Sequence, residues 1–306
     1  MPFPTLSSKA ILAPMSGFSD VAFRELCKKY GAGLTYTEFV SSAGLVRKNE
    51  KTQELLKISP LEKPSAVQIF GNNIDELLNS AKILEHKFDI IDINCGCPAY
   101  KLVKIGAGSE MLRNPKIIEE IVKKLSLTIK KPITIKIRSG IDDKHINALE
   151  VAKIAESSGA SAITIHARTQ KQGYSGKSDW ELIKKIKQSV KIPVIGNGDI
   201  TNPEDFKKKL EQSKVDYIMI GRGAIGNPYL FKQINGYLKS GKYDDKSKRE
   251  QFFEYLDLAE KYNIEFNKIK AHAVFFTKGI VRGAKLRKEI AKCNHLKALK
   301  AVMQVP

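Results

Sequence analysis

The segment DINCGCPAY has the clearest chemical potential in this sequence, because two cysteines and a proline follow the end of an apolar run. An ordinary cysteine is mostly protonated near neutral pH, so a well-placed thiol is suited to act as a general acid. Cys95 and Cys97 point the same way in an extended segment, so spacing alone leaves the choice between them open. Cys97 lies further past the strand end and precedes Pro98, which favours a turn. Position therefore favours Cys97.

Two glycine-containing segments near the end of the apolar pattern resemble an anion site. Glycines after two strands let backbone N–H groups approach a phosphate, and an arginine adds a fixed pair of donors. The residues concerned are Asn197, Gly198, Asp199, Gly221, Arg222 and Gly223. A sugar phosphate and a flavin mononucleotide are both suitable ligands.

Polar residues inside other apolar runs distinguish these two ligands. Gln68 needs a hydrogen-bond partner, and Lys136 faces the opposite side of its strand from Ile135 and Ile137. A reduced flavin offers an anionic ring edge to Lys136 and carbonyl and N–H groups to Gln68. The competing interpretation places both side chains at solvent-facing strand ends. His166, at another strand end, fits an active site or a core histidine equally well.

The elements that must position these residues alternate regularly. Eight short apolar runs rich in Ile and Val are each followed by an amphipathic segment, which is typical of strands buried on both faces. Eight strand–helix units in about 240 residues predict an α/β fold of the (β/α)₈ TIM-barrel type. The alternative, a doubly wound sheet, would open with G-x-G-x-x-G, and APMSGFSD does not supply this motif.

The pattern changes to helices alone after the polar segment KSGKYDDKSKRE. We therefore predict a TIM-barrel catalytic domain over residues 1–240 and a small all-α helical domain over residues 241–306. From Phe266 onward there are ten Lys or Arg against one acid, Glu289. A solvated surface is the simpler interpretation, but a selectively basic appendage favours nucleic-acid binding. The candidate contacts are Lys278, Arg282, Lys285, Arg287 and Lys288.

Composition and net charge indicate which partners and which cellular compartment the protein has. The chain has 306 residues and a formal charge of +19, from 52 basic and 33 acidic side chains, so a polyanion is the natural partner. Its four cysteines lack zinc spacing, and the N-terminus lacks the pattern of a secretory signal. We expect a cytoplasmic protein with reduced thiols, no metal and no membrane segment. Oligomeric state is not encoded in any motif, and a monomer is the expectation.

Seven motifs occur in one order between about Ala10 and Leu230: APMSGFSD, VQIFG, INCGCPAYKLVKIGAGSEML, IKIRSG, IHARTQKQGYSGKSDW, IGNGDI and IGRGAIGNP. Together they resemble the tRNA-dihydrouridine synthases, and the basic tail resembles that family's helical domain in position, length and charge. The resemblance implies an FMN enzyme that uses NADPH to reduce the C5=C6 bond of uridines in tRNA. Hydride would pass from flavin N5 to C6, and Cys97 would give C5 its proton.

The resemblance also implies roles for individual residues. Pro14, Met15 and Ser16 would border the flavin ring, and Gln68 and Lys136 would contact its polar edge. The rest of the flavin would be held by His166, Asn197, Gly198, Asp199, Gly221 and Arg222. Asn94 would hold the target uracil, and Arg168 would lie near the flavin or the base. Two alternatives remain: a flavin oxidoreductase of free small molecules, similar to dihydroorotate dehydrogenases, and an RNA-binding protein without activity.

Overall fold

A closed ring of eight parallel strands forms the centre of the computed structural model, which describes residues 1–304. Each strand pairs in parallel with the next strand in the chain, and the pairing of β8 with β1 closes the ring. The strands are β1 (Ala10–Leu12), β2 (Leu34–Tyr36), β3 (Ser65–Phe70), β4 (Ile90–Cys95), β5 (Ile133–Arg138), β6 (Ala162–His166), β7 (Val194–Asn197) and β8 (Tyr217–Ile220). The predicted (β/α)₈ barrel is confirmed.

Helices surround the ring and continue past it. They are α1 (Val21–Lys29), α2 (Ser42–Val46), α3 (Glu50–Glu54), α4 (Ile74–Leu84), α5 (Tyr100–Lys104), α6 (Pro115–Thr128), α7 (Ala148–Ser157), α8 (Trp180–Ser189), α9 (Pro203–Ser213), α10 (Leu230–Ser240), α11 (Lys248–Lys261), α12 (Phe266–Phe276), α13 (Gly283–Lys292) and α14 (Leu296–Gln304). A two-residue strand, Val40–Ser41, pairs with the end of β3. A 3₁₀ helix, Gly108–Arg113, follows α5 and packs beside β4.

The strands are apolar on both faces because each face meets a different core. Their outward side chains pack beneath the surrounding helices, and their inward side chains fill the barrel. The inward apolar set is Ile11, Ala13, Leu34, Tyr36, Ala66, Ile90, Ile195, Tyr217 and Met219. These residues close the lower part of the barrel, so the polar inward residues lie above them near the carboxyl ends of the strands.

The last four helices pack together, and α11 and α12 join them to the barrel at α1. Tyr255 on α11 donates to Asp20 Oδ2 at 3.1 Å, and His272 Nε2 on α12 lies 3.2 Å from the same atom. Apolar residues of α11–α14 belong to the same hydrophobic cluster as the barrel helices. The predicted boundary at residue 240 coincides with the end of α10, and the division into two domains stays a prediction.

Candidate active site

A layer of polar side chains lies at the carboxyl ends of strands β3 to β7. Register places Asn94 beside Lys136 and His166 beside Asn197, so the layer is continuous across neighbouring strands. Asn94 Nδ2 donates to Gln68 Oε1 at 2.8 Å, and Lys136 Nζ donates to Asn197 Oδ1 at 3.1 Å. The barrel therefore brings these five sequence-predicted residues into one site.

Lys136 is a cation without a carboxylate partner. Its only hydrogen bond within residues 1–304 goes to the neutral Asn197, and no acidic side chain of that range lies within 4.0 Å of Nζ. Burial lowers the pKa of Lys136 to about 8, and nearby Arg138 adds to the shift. A bound anion would offset part of the free-energy cost of burying the Lys136 charge, so the geometry suits a ligand with a negative edge.

A buried carboxylate lies beneath this layer, and the sequence pattern alone did not single it out. Asp92 on β4 is 0 % exposed. Its Oδ2 accepts from Gln68 Nε2 at 2.7 Å, and its Oδ1 accepts from Thr134 Oγ1 at 2.5 Å. Burial raises the pKa of Asp92 to about 6, although these hydrogen bonds and Lys136 oppose the rise. The available signal was a charged residue alternating with isoleucines in the run DIIDIN.

The backbone around Cys97 is held from both sides. Asn94 Oδ1 accepts from the N–H groups of Gly96 at 3.1 Å and Cys97 at 2.9 Å. Arg138 Nε donates to the Gly96 carbonyl at 2.9 Å. The Cys97 carbonyl accepts from the N–H and the hydroxyl of Ser109, each at 3.0 Å. The backbone of Cys97, two residues after the end of β4, is therefore fixed in position even though its side chain is partly exposed.

The two candidate thiols lie in different environments. Cys95 is buried, and burial raises its pKa far above the ordinary range. Cys97 is the only one of the four cysteines with a partly exposed side chain; Cys27 and Cys293 are buried as well. Accessibility thus supports the choice that position along the chain already favoured.

A tight turn after β7 forms the predicted anion corner. Gly198 has φ +135°, and a Cβ there would lie 2.4 Å from Ser178 Oγ, so only glycine fits. Asp199 adopts φ +56° and accepts from Arg168 Nη2 at 2.8 Å. Although burial alone would raise it, the Ser178 N–H and Arg168 hold the pKa of Asp199 below its ordinary value. Arg222 Nη2 lies 3.6 Å from Asp199 Oδ1, with its side chain half exposed toward solvent.

Arg168 occupies a structural position within this corner. It is 2 % exposed, and its Nε and Nη2 donate to the carbonyls of Ser175 and Gly176 at 3.0 and 2.7 Å. Its Nη1 lies 3.4 Å from His166 Nε2. The structure thus places Arg168 behind the anion corner, where it holds a loop and Asp199, and its predicted contact with a ligand stays a prediction.

His166 is a neutral side chain in this setting. Burial lowers its pKa to about 2, and the neighbouring cations Lys136, Arg138, Arg168 and Arg222 act in the same direction. A neutral imidazole among four cations offers a hydrogen bond without adding charge. His166 is therefore suited to binding a ligand rather than to exchanging protons with it.

The end of β1 borders the end of β8. A Cβ at Gly221 would make ordinary contacts at 3.6 Å with Ala13 Cβ and Met15 Sδ, so the two strand ends lie directly side by side. Ser16 is exposed and Pro14 and Met15 are partly buried. The predicted residues of β1 and β8 therefore line the same side of the barrel mouth.

Comparison with known proteins identifies the family of this chain. The family model described as dihydrouridine synthase matches residues 11–305. The chain belongs to the dihydrouridine synthase family. A probable tRNA-dihydrouridine synthase of Rickettsia bellii is 44 % identical over 239 residues, covering 78 % of this chain and 73 % of that protein. tRNA-dihydrouridine synthase B of Pasteurella multocida is 38 % identical over 288 residues, covering 94 % of this chain and 83 % of that protein.

A solved structure agrees on the fold of this family member. Histamine dehydrogenase from Rhizobium sp. 4-9 superposes with a TM-score of 0.59 at 14 % identity, covering 83 % of this chain. The chain spans about half of that larger protein, 49 % of its length. At this level of identity the match supports the barrel architecture alone.

Two side chains at the rim of this synthase were missed as site residues. Arg138 is buried and donates from Nη1 to the carbonyls of Thr169 at 2.9 Å and Gly173 at 2.8 Å, besides its bond to Gly96. Tyr174 is exposed, and the guanidinium of Arg222 lies 4.5 Å from its ring centroid. Arg138 was visible as a charged residue two positions after Lys136, but its partners depend on how the loop after β6 folds back.

The predicted basic residues of the tail lie on and around α13. Lys278, Arg282, Lys285 and Lys288 are exposed, whereas Arg287 is partly buried and donates to the Thr277 carbonyl at 3.3 Å. The first four are available to a polyanion, and Arg287 has a role in holding the end of α12. Contacts of all five with RNA remain predictions.

Residues 1–304 contain no cluster of three or more His, Cys, Asp or Glu side chains arranged to hold a metal ion. Within the same range, none of the helices is both long enough and apolar enough to cross a bilayer.

Proposed function

We propose that this chain reduces the C5=C6 bond of uridines in tRNA, with FMN as cofactor and NADPH as reductant. In the overall reaction, uridine, NADPH and one proton give dihydrouridine and NADP⁺. The observation that carries the proposal is the placement of Cys97: a partly exposed thiol on a fixed backbone just past the end of β4, near Lys136, a cation with no carboxylate partner among residues 1–304.

The residues present suit FMN. Lys136 offers a partly buried cation to an anionic ring edge, and the Gln68 amide has a second N–H and a second lone pair beyond its bonds to Asp92 and Asn94. At the other side, half-exposed Arg222 lies beside the tight turn of Gly198 and Asp199 and offers its donors to a phosphate. When bound and reduced, FMN supplies a hydride to C6 of the uracil.

Cys97 then serves as the proton donor to C5. Addition at C6 leaves negative charge on the C5–C4–O4 system of the base, and a neutral thiol beside C5 transfers its proton there. Asn94 accepts from the Cys97 N–H and Ser109 donates to the Cys97 carbonyl, so the backbone that carries the thiol is held at the end of β4. Cys95 is too deeply buried for this role.

The substrate class follows from the relatives and from charge. A uridine in folded tRNA must leave its stack to reach the barrel mouth, and binding then relies on contacts with the RNA backbone. The exposed cations of α13 and its preceding turn supply such contacts. We place the protein in the cytoplasm, where its substrate is used in translation.

A pair of single-sulfur variants tests the catalytic role. Cys97→Ala should retain FMN but lower the rate of dihydrouridine formation by about 10²- to 10⁴-fold, the usual contribution of a general acid. Cys95→Ala is the matched control, since it removes a sulfur two residues away on the same segment, and it should keep most of the activity. Equal turnover by Cys97→Ala and wild type, under saturating tRNA, would overturn the assignment.

A further inference from the structure

A hydrogen-bond chain connects the centre of the barrel with the backbone of Cys97. Asp92 accepts from Gln68 Nε2 at 2.7 Å, and Gln68 Oε1 accepts from Asn94 Nδ2 at 2.8 Å. Asn94 Oδ1 in turn accepts from the Cys97 N–H at 2.9 Å. Every link is within ordinary hydrogen-bond distance, and Gln68, Asp92 and Asn94 are all buried.

The chemistry of the two ends fixes the direction of this chain. A backbone N–H such as that of Cys97 only donates, and an ionised carboxylate such as Asp92 only accepts. A carboxamide can rotate by half a turn and exchange its oxygen with its nitrogen. Between a pure donor and a pure acceptor, however, only one orientation of each amide satisfies every bond. Gln68 therefore turns its nitrogen toward Asp92, and Asn94 turns its oxygen toward Cys97.

Thr134 completes the lower end of the chain. Its hydroxyl donates to the other carboxylate oxygen of Asp92 at 2.5 Å and leaves the bond from Gln68 untouched. The acceptor at the bottom of the chain is thus held in place by a partner outside the chain. Loss of the Thr134 hydroxyl alone leaves each link between Asp92 and Cys97 in place.

We infer that Asp92 is a positioning residue that orients the Gln68 and Asn94 amides and, through them, holds the loop that carries Cys97. It is kept from the substrate and the proposed cofactor by its position, 0 % exposed and two residues before Asn94 on β4, further from the barrel mouth. Its effect on the cofactor rests on the proposed function, through the Gln68 amide. Its effect on Cys97 does not, because that effect is a property of the hydrogen-bonded chain itself.

The test measures how fast Cys97 reacts with iodoacetamide in the full-length protein, with the site of modification identified by mass spectrometry. Cys97 is the partly exposed thiol, so its modification separates from that of the three buried cysteines. Asp92→Leu removes the acceptor, and it should raise the alkylation rate of Cys97 by about fivefold or more, as expected when a loop loses a bond of this kind. The same variant should bind FMN more weakly.

Two matched variants distinguish a positioning role of Asp92 from a general disruption of packing inside the barrel. Asp92→Asn can still accept from Gln68 through its oxygen while its amide nitrogen faces the Thr134 hydroxyl, so it should stay within about twofold of wild type. Thr134→Val leaves the chain intact and should also stay within about twofold. If Asp92→Leu folds and alkylates at the wild-type rate, or if Asp92→Asn is as altered as Asp92→Leu, the inference is wrong.

Asn94→Asp provides an independent test if the leucine variant does not fold. An aspartate at position 94 still accepts from the Cys97 N–H but has no hydrogen for Gln68 Oε1. We therefore expect weaker FMN binding, measured by fluorescence titration, with little change in Cys97 alkylation. Unchanged FMN affinity in this variant would refute the chain. A wild-type protein that takes up no FMN would instead refute the proposed function, and the alkylation results would stand by themselves.

Discussion

Asp92→Asn should alter how the stability of the protein depends on pH. Burial raises the pKa of Asp92 from 3.8 to about 6, so the folded protein binds a proton over a range where the unfolded chain has already released it. The stability contributed by the protonated carboxyl of Asp92 is fully present below pH 3.8, its pKa in the unfolded chain, and is lost as the pH rises through about 6, its pKa in the folded protein. An asparagine of the same shape does not ionise, so it escapes this loss.

The size of the effect follows from the shift. A rise of about two pKa units corresponds to about 3 kcal/mol in total at 1.36 kcal/mol per unit. About 1 kcal/mol of this falls between pH 5 and pH 7, where both protonation states of the Asp92 carboxyl are populated. Above pH 7 the titration of Lys136, whose pKa burial lowers to about 8, begins to contribute, so pH 7 is the upper limit of the comparison.

Urea unfolding of wild type and Asp92→Asn at pH 5, 6 and 7 measures this difference directly. The free energy of unfolding of the variant, minus that of wild type, should increase by about 1 kcal/mol from pH 5 to pH 7. Titrations common to both proteins cancel in the subtraction. A difference that stays constant within experimental error would show that Asp92 keeps an ordinary pKa, and the electrostatic account of the barrel interior would fail.

Two further predictions concern the loop beside Cys97 and the basic tail. A Cβ at Gly108, where φ is +63°, would lie 2.6 Å from the Cys97 carbonyl oxygen, so Gly108→Ala should lower kcat for dihydrouridine formation and leave FMN affinity unchanged. Gly241→Ala is its control, since φ there is +71° with no atom within 4 Å, and equal activities would contradict the proposed contact. In the tail, four exposed cations can be replaced together by Gln: Lys278, Arg282, Lys285 and Lys288. The variant should bind tRNA more weakly, and the slope of log affinity against log salt concentration should fall by roughly one unit per lost phosphate contact. An unchanged slope would rule out this surface as the tRNA-binding site.

The sequence predicts the barrel well because each strand is apolar on both faces and each helix on one. It also singles out Gln68 and Lys136, since a polar side chain within a buried apolar strand needs a polar partner, and the structure places both of them with His166 in one polar layer; their roles stay predictions. The short helices α2 and α3 and the strand Val40–Ser41 carry no comparable periodicity, and they were not predicted.

Partners inside the barrel are harder to predict than positions. The hydrogen bond between Gln68 and Asp92 depends on strand register. The bonds of Arg168 to Asp199 and to two loop carbonyls depend on loops that fold back over the barrel mouth. Net charge predicts a basic tail, but it does not distinguish exposed Lys285 from partly buried Arg287. These distinctions come from packing between segments far apart in the chain.

The most direct test of the proposed function is product analysis with the wild-type protein. Unmodified tRNA is incubated with the protein, FMN and NADPH, and the nucleosides are identified by mass spectrometry, with free uracil and orotate as competing substrates. We expect dihydrouridine in the tRNA, its formation slowed by about 10²- to 10⁴-fold with Cys97→Ala, and no comparable reduction of the free bases. A protein that takes up no FMN, or that reduces orotate while leaving tRNA unchanged, would contradict the proposed function.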